Sequence, residues 1–464
     1  MNDLYYNDII FARATPPGPS AIAVIRVSGK NSWKLLDEIF DYKNKSNYIT
    51  HHAYHGNIKD GKNIIDNVII ITYSENKSFT GEESFEINCH GSEVIISLII
   101  KSLLNKGIRL SEPGEFSKRA FLNGKIDLTK AESIMDIVHS STKKSALIAV
   151  QQLSGGLSEK INEIKELLSN LLAGIEVDID YPEEDIDSDM DGWIKKTDEI
   201  IDKINFLLSS YKRGKFYREG INAVILGRTN SGKSTLFNLL LNEDKAIVSD
   251  IHGTTRDFLD GIINIKGYGV RIYDTAGLRN TDDPIEIEGT KRAIDLSKRS
   301  NLVIYVIDST DNLNDDDKKN LLNIDNNKKL LIIINKIDLI NSEKCKKIIN
   351  DINSLKLNND YNIITMSALN KKGINDFNNS FIDLIIEDKI DNADDPIMTN
   401  ERHAFLLKSA NENLIRSKNV IIEGLLDLCA FELREALNKI GEITGEVTPE
   451  DILNKIFSNF CVGK

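Results

Sequence analysis

"GRTNSGKS" (227–234) decides the fold. It fits G-x-x-x-x-G-K-[ST] and stands between an apolar run, "INAVIL" (221–226), and a helical one, "TLFNLLL" (235–241). Backbone N–H groups in a glycine turn that opens a helix wrap phosphate oxygens, and here Asn230, Ser231, Gly232, Lys233, Ser234 and Thr235 form that turn. Lys233 neutralises the outer oxygens, and the Ser234 hydroxyl is placed to ligate Mg²⁺.

Downstream motifs identify the base. "NKID" (335–338) closes an apolar strand with Asn335, Lys336 and Asp338. Guanine offers N1–H and an exocyclic amine that one carboxylate accepts together, so Asp338 selects guanine over adenine. Ser367 and Ala368 of "SAL" (367–369) end another strand and suit a backbone contact to the base oxygen. In "DTAG" (274–277), Asp274 serves magnesium from behind, and Thr275, Ala276 and Gly277 lead to the γ-phosphate. Four motifs in this order specify a GTPase.

Its catalytic apparatus departs from the Ras pattern. Leu278 stands where a water-orienting glutamine is expected, and an apolar side chain cannot align water. The acidic loop "TDDPIEIEG" (281–289) offers Asp282, Asp283, Glu286 and Glu288 instead, although such a run also reads as a solvated charged loop. "GTTRD" (253–257) supplies threonines for magnesium and phosphate, while Arg256 can simply pair with a carboxylate. The amide oxygen of Asn230 suits a monovalent cation held against the phosphates.

Outward from this centre, "VRIYDTAG", "NLVIYVID", "KLLIIINK" and "YNIITMSA" alternate with helical stretches, the pattern of a helix-wrapped parallel sheet over 217–385. Helical periodicity flanks it at 121–216 and 386–464, so the expected arrangement is an α/β GTPase domain inserted into a helical one. "TKAESIMDIVHSS" (129–141) opens with Thr129 and Glu132 in capping-box spacing, which predicts Thr129 as the cap. Residues 1–120 mix β-branched runs such as "AIAVIRVSG" with one apolar helix, and read as a separate α+β domain. The fold class is thus multidomain α/β.

The chain has 464 residues and a formal net charge of −13. That balance argues against a free-standing nucleic-acid binder, because neutralising phosphates needs a basic face. Its four cysteines, Cys89, Cys345, Cys429 and Cys461, form no C-x-x-C pair. No stretch has the length of a signal peptide core or a membrane span, and the expected setting is the cytoplasm.

Together, "GRTNSGKSTLFNLL", "GTTRD", "DTAGLR", the flanking helices and the terminal "FCVGK" (460–464) resemble the tRNA modification GTPase MnmE (TrmE) family over the full length. The N-terminal part resembles that family's folate-binding domain through "ATPPGPSAIAVIRVSG" (14–29), "SFTGEE" (78–83), "CHG" (89–91) and "PGEFSKRAFLNGKIDLTKAE" (113–132). The resemblance implies a homodimer whose GTPase domains associate when K⁺ binds Asn230, Ser249, Ile251 and Thr254. It implies nucleotide contacts along Ser249, Asp250, Ile251, His252, Gly253, Thr254 and Thr255, Mg²⁺ on Ser234 and Thr255, and a water-orienting Glu286. It also implies an FAD-binding MnmG-type partner, with FAD on that partner only, and 5,10-methylenetetrahydrofolate or 5-formyltetrahydrofolate as one-carbon source. The product is an aminomethyl-type group on C5 of the tRNA wobble uridine. Arg26, Glu82, Lys125 and Lys464 match the family's folate contacts. Val462 and Thr229 depart mildly from the family pattern without removing a ligand.

"TPEDILNKIF" (448–457) predicts a helix with Thr448 as N-cap and Pro449 at the first helical position, with Ile452, Leu453, Ile456, Phe457 and Phe460 on one face. By its own surroundings Cys461 reads as a small buried hydrophobe. The resemblance makes it instead a nucleophile or proton donor beside the folate, with Lys464 closing the pocket. The rival reading is a regulatory or ribosome-assembly GTPase, a binding switch that shares every nucleotide motif and lacks a folate site.

Overall fold

The computed structural model describes residues 8–42, 47–181, 189–243, 259–274, 298–386 and 396–463. The chain divides into two compact units. Among the described residues no helix is long and apolar enough to cross a membrane.

The first unit comprises Met1–Met135, Leu153–Glu166 and Arg434–Lys464. Its sheet uses β1 (Ile10–Arg13), β2 (Ser20–Ser28), β3 (Phe40–Asp41), β4 (His52–Asp60), β5 (Asn63–Tyr73), β6 (Ser84–Gly91) and β7 (Arg109–Leu110), in spatial order β3-β4-β5-β6-β2-β1-β7. Alternation decides which face is covered. In β6 Phe85, Ile87 and Cys89 are buried, and in β2 Ala23, Ile25 and Val27 are. These pack with Ile96, Ile99 and Leu103 of the helix Glu93–Asn105. A smaller cluster joins Leu128, Ala131 and Met135 to Leu453, Phe457 and Phe460. It anchors the C-terminal helix Glu450–Phe457 within this unit.

Two expected caps are corrected. The helix Leu128–His139 starts one residue before Thr129; Asp127, a stronger acceptor, takes the Lys130 N–H at 2.9 Å, and the Thr129 hydroxyl donates to Asp127. The last helix starts at Glu450 with Pro449 in the cap position, and the Thr448 hydroxyl donates backward to the Glu442 carbonyl. Ile452 is 38% exposed, so the buried stripe there is narrower than the sequence pattern.

The second unit comprises Asp136–Gln152 and Leu167–Leu433. Its sheet uses β8 (Ile221–Leu226), β9 (Leu259–Ile265), β10 (Tyr268–Asp274), β11 (Leu302–Asp308), β12 (Lys329–Asn335) and β13 (Tyr361–Thr365), in order β13-β12-β11-β8-β10-β9. Only the β9–β10 pair is antiparallel. The near-continuous Val, Ile and Leu of β11 and β12 are buried on both faces, as parallel strands between helical layers must be. Helices Met190–Glu219 and Glu401–Ile422, from before and after the sheet in sequence, pack on each other. Gly214 lets the segment just before the second helix pass close to the first: a Cβ there would lie 2.0 Å from the Met398 carbonyl oxygen. Tyr217, near the end of the long helix, stacks on Tyr268 of β10 with centroids 4.1 Å apart.

Candidate functional sites

In the second unit, the phosphate loop leaves β8 at the switch point of the sheet, where the strand order reverses and ligands of parallel α/β sheets bind. Gly227 sits at φ 140°, and a Cβ would lie 2.3 Å from the Val306 carbonyl oxygen. Asn230 adopts φ 62°, a left-handed conformation that asparagine tolerates better than most residues. Gly232 sits at φ 96°, where a Cβ would be 2.2 Å from Asn335 Nδ2.

That last approach reveals what locks the site. Asn335 is buried; its Nδ2 donates to the Ser231 carbonyl at 2.9 Å and its Oδ1 accepts from the Ala368 N–H at 3.0 Å. One amide therefore joins the phosphate loop, "NKID" and "SAL". The Ala368 N–H is engaged here, and Asn335 acts as a brace among the three motifs. Ser367 is buried, exchanges backbone bonds with Lys372 and accepts the Asn370 N–H. Asp338 stands exposed on the short 3-10 turn Ile337–Leu339, free of the brace.

Buried polar groups of the same loop, and of the strand ends around it, complete the site. Lys233 is 7% exposed and donates to the Arg228 carbonyl at 2.6 Å. The Ser231 hydroxyl is buried without a hydrogen-bond partner, a costly state that an anionic oxygen would relieve. Ser234 donates to Asp274 Oδ2 at 3.2 Å, and Asp274 is 3% exposed. A hydroxyl and a buried carboxylate behind it are the hard oxygen donors that Mg²⁺ prefers. Lys336 holds φ 63° and pairs with Asp308. Burial pushes the Asp308 carboxyl up, but bonds from Lys336 and Thr310 outweigh it and hold it below the usual range. Ser249, Asp250, Ile251, His252, Gly253, Thr254, Thr255, Thr275, Ala276, Gly277 and Glu286 lie outside the described residues, as does Lys464.

In the first unit a cavity of about 360 Å³ opens against β2 and β6. Arg26, Glu86, Lys77, His51 and Tyr73 give it charged and polar walls; Phe79, Phe85 and Phe116 give it aromatic ones. Such a mix suits a flat heteroaromatic ligand with polar edges. Arg26 Nε donates to Glu86 Oε1 at 2.8 Å, its guanidinium lies 5.9 Å from the Phe79 ring centroid, and Nη1 reaches the Gly463 carbonyl at 3.4 Å. Arg26 thus brings the C-terminal motif to the cavity rim. Cys461 is exposed, and its carbonyl accepts the Gly114 N–H at 3.4 Å.

Glu82 lies just behind the cavity wall. Ser28 and Thr80, which line the cavity, share a 2.7 Å hydroxyl bond, and Ser28 also donates to Glu82 Oε2 at 2.7 Å. Lys125 donates to the Asn76 carbonyl at 2.8 Å, bracing the loop that carries Glu82. Sequence reasoning missed Ser28, Thr80, Glu86 and Tyr73, since isolated hydroxyls and a strand glutamate carry no pattern of their own. The alternation of β2 and β6 places Arg26 opposite Glu86, the one signal that pairs them.

The family model for the MnmE helical domain matches residues 128–461, and that for the GTP-binding protein TrmE N-terminus matches 9–125. The "tRNA modification GTPase MnmE" of Carboxydothermus hydrogenoformans is 40% identical over 98% of this chain and 99% of its own. That of Desulforamulus reducens is 39% identical over 99% of this chain and 100% of its own. Among solved structures, Aquifex aeolicus Era has a TM-score of 0.30 and 23% identity, covering 42% of this chain and 67% of that one, too distant to carry an argument.

Proposed function

The chain belongs to the tRNA modification GTPase MnmE family, and we propose that it is a potassium-activated GTP hydrolase that installs an aminomethyl-type group on the tRNA wobble uridine with a flavoprotein partner. Ser231 carries the nucleotide half of this reading: its buried, unpartnered hydroxyl sits in the phosphate loop beside the buried Lys233. The proposed GTPase domain, 217–385, interrupts a helical domain drawn from 121–216 and 386–464, after an N-terminal domain of 1–120.

The chain's own groups divide the work. Lys233 and the backbone of Asn230–Thr235 cradle the phosphates; Asp338 reads guanine; Asn335 keeps the motifs in register. Ser234 and Thr255 hold Mg²⁺, with Asp274 orienting the serine hydroxyl. Asn230, Ser249, Ile251 and Thr254 hold K⁺. The two ions supply positive charge where negative charge grows during hydrolysis, as an arginine finger does elsewhere. Glu286 orients the attacking water.

In the N-terminal domain, Arg26, Glu82, Lys125 and Lys464 hold a reduced folate, the one-carbon donor, and Cys461 serves the transfer as nucleophile or proton donor. Tyr73 and Glu86 fix Arg26. With a net charge of −13, most RNA affinity resides on the FAD-binding MnmG-type partner, and the chain works as a cytoplasmic homodimer. The test is modified-nucleoside analysis of tRNA from a strain lacking the gene. Loss of the C5 group at the wobble uridine, restored by the chain, supports this function; an unaltered nucleoside profile contradicts it.

A further inference from the structure

Arg119 has a side chain with no exposed surface, so no ligand touches it. Its guanidinium nevertheless gathers three carboxylates: Nη1 donates to Glu82 Oε1 at 3.1 Å, and Nη2 donates to Glu115 Oε1 at 2.8 Å and to Asp8 Oδ1 at 2.7 Å. A buried cation this well surrounded is costly to build and costly to disturb. Its placement distinguishes it from a purely structural clamp, because one of the three, Glu82, stands behind the Ser28–Thr80 hydroxyls that line the cavity.

We propose that Arg119 is the positioning residue that keeps Glu82 ionised and aimed at the folate cavity. The proposal rests on the folate reading above. Among the described residues, the Glu82 carboxylate takes side-chain hydrogen bonds from Arg119 and Ser28. A neutral hydroxyl alone cannot stabilise a carboxylate whose side chain is 12% exposed. Among the described residues, Asp8 repels Glu82, while Arg109 pairs with Glu115 and Asp8. Without Arg119, Glu82 would sit among acids and take up a proton at higher pH. Burial already pushes its carboxyl above the usual range despite Arg119.

The test titrates 5-formyltetrahydrofolate into the full chain, its Arg119→Met, Arg119→Lys and Glu82→Gln variants, between about pH 5 and 8. Thermal unfolding followed by circular dichroism serves as the folding control. In the unaltered chain, affinity falls as pH drops through the Glu82 titration. Arg119→Met is expected to weaken binding about tenfold near neutral pH and to move that acid limb to higher pH. Arg119→Lys, which keeps the charge but not the fork, restores most of both; Glu82→Gln binds weakly with no acid limb. An acid limb that stays in place in Arg119→Met overturns the proposal. If that variant does not fold, Arg119→Lys carries the test, with a smaller upward move expected and an unmoved limb decisive against it. Absence of folate binding by the unaltered chain overturns the folate reading and this proposal together.

Discussion

At the scale of single residues, the phosphate site depends on one glycine and one asparagine. Gly232 meets Asn335 so closely that an added methyl has no room, and its φ of 96° disfavours any side chain. Gly232→Ala is expected to strain the loop by ~1–3 kcal/mol and to weaken GTP binding about tenfold or more, measured by titration with a fluorescent GTP analogue. Unchanged affinity would show the brace to be dispensable. Asp338, exposed and outside the brace, should behave differently. Asp338→Asn should weaken GTP but improve xanthosine triphosphate, whose C2 oxygen accepts from an amide as guanine's amine donates to a carboxylate. Equal loss for both nucleotides would remove Asp338 from base reading. The sequence displayed these residues, but the brace itself was illegible, because Asn335, Ser231 and Ala368 meet only after three strands align.

At the scale of elements, the strands of the GTPase sheet were legible because each is a buried β-branched run, whereas the helix starts were not. Thr129 and Thr448 both look like caps in one dimension, yet Asp127 outcompetes the first and Pro449 displaces the second. The C-terminal helix matters most, since it carries Cys461 to the N-terminal sheet. Phe457 is 2% exposed in the cluster with Leu128 and Leu453. Phe457→Ala should cost about 3–5 kcal/mol locally and abolish folate binding while GTP hydrolysis continues. Retained folate affinity would detach the motif from the site.

Arg119 was the least legible element-level feature, because an Arg four residues after Glu115 on a helix reads as a surface ion pair. Its partner Glu115 sets an acid limit for the same helix, Glu115–Leu122. Burial raises the Glu115 carboxyl, but Arg109, the Glu112 N–H and Arg119 hold it lower, at about 2. A depressed carboxylate contributes stability above its ordinary value, near pH ~4.3, and loses it as pH falls toward about 2. The gap in Tm between the unaltered chain and Glu115→Gln should therefore be widest near neutral pH and close on acidification. A gap independent of pH would mean that packing, not charge, explains the loss.

At the scale of the molecule, two sites share one chain: a guanine nucleotide site in the second unit and, in the first, a cavity whose Arg26 reaches the C-terminal motif at Gly463. Their separation predicts separable mutants. Cys461→Ser should abolish wobble-uridine modification in cells while leaving GTP hydrolysis intact, and full modification would end the proposed part of Cys461 in the transfer. Strand runs and nucleotide motifs made the GTPase sheet legible, and resemblance supplied the family. The residues proposed to hold folate, Arg26, Glu82 and Lys125, became visible only through resemblance, since a lone charge on a strand or turn has no chemistry until its neighbours are placed. The central claim is that this GTPase draws its missing positive charge from potassium, held at Asn230. GTP hydrolysis by the purified chain, compared in K⁺ and Na⁺ at matched ionic strength, tests it most directly: a large K⁺-specific acceleration, lost in Asn230→Ala, is the predicted result, and equal rates in the two salts would contradict it.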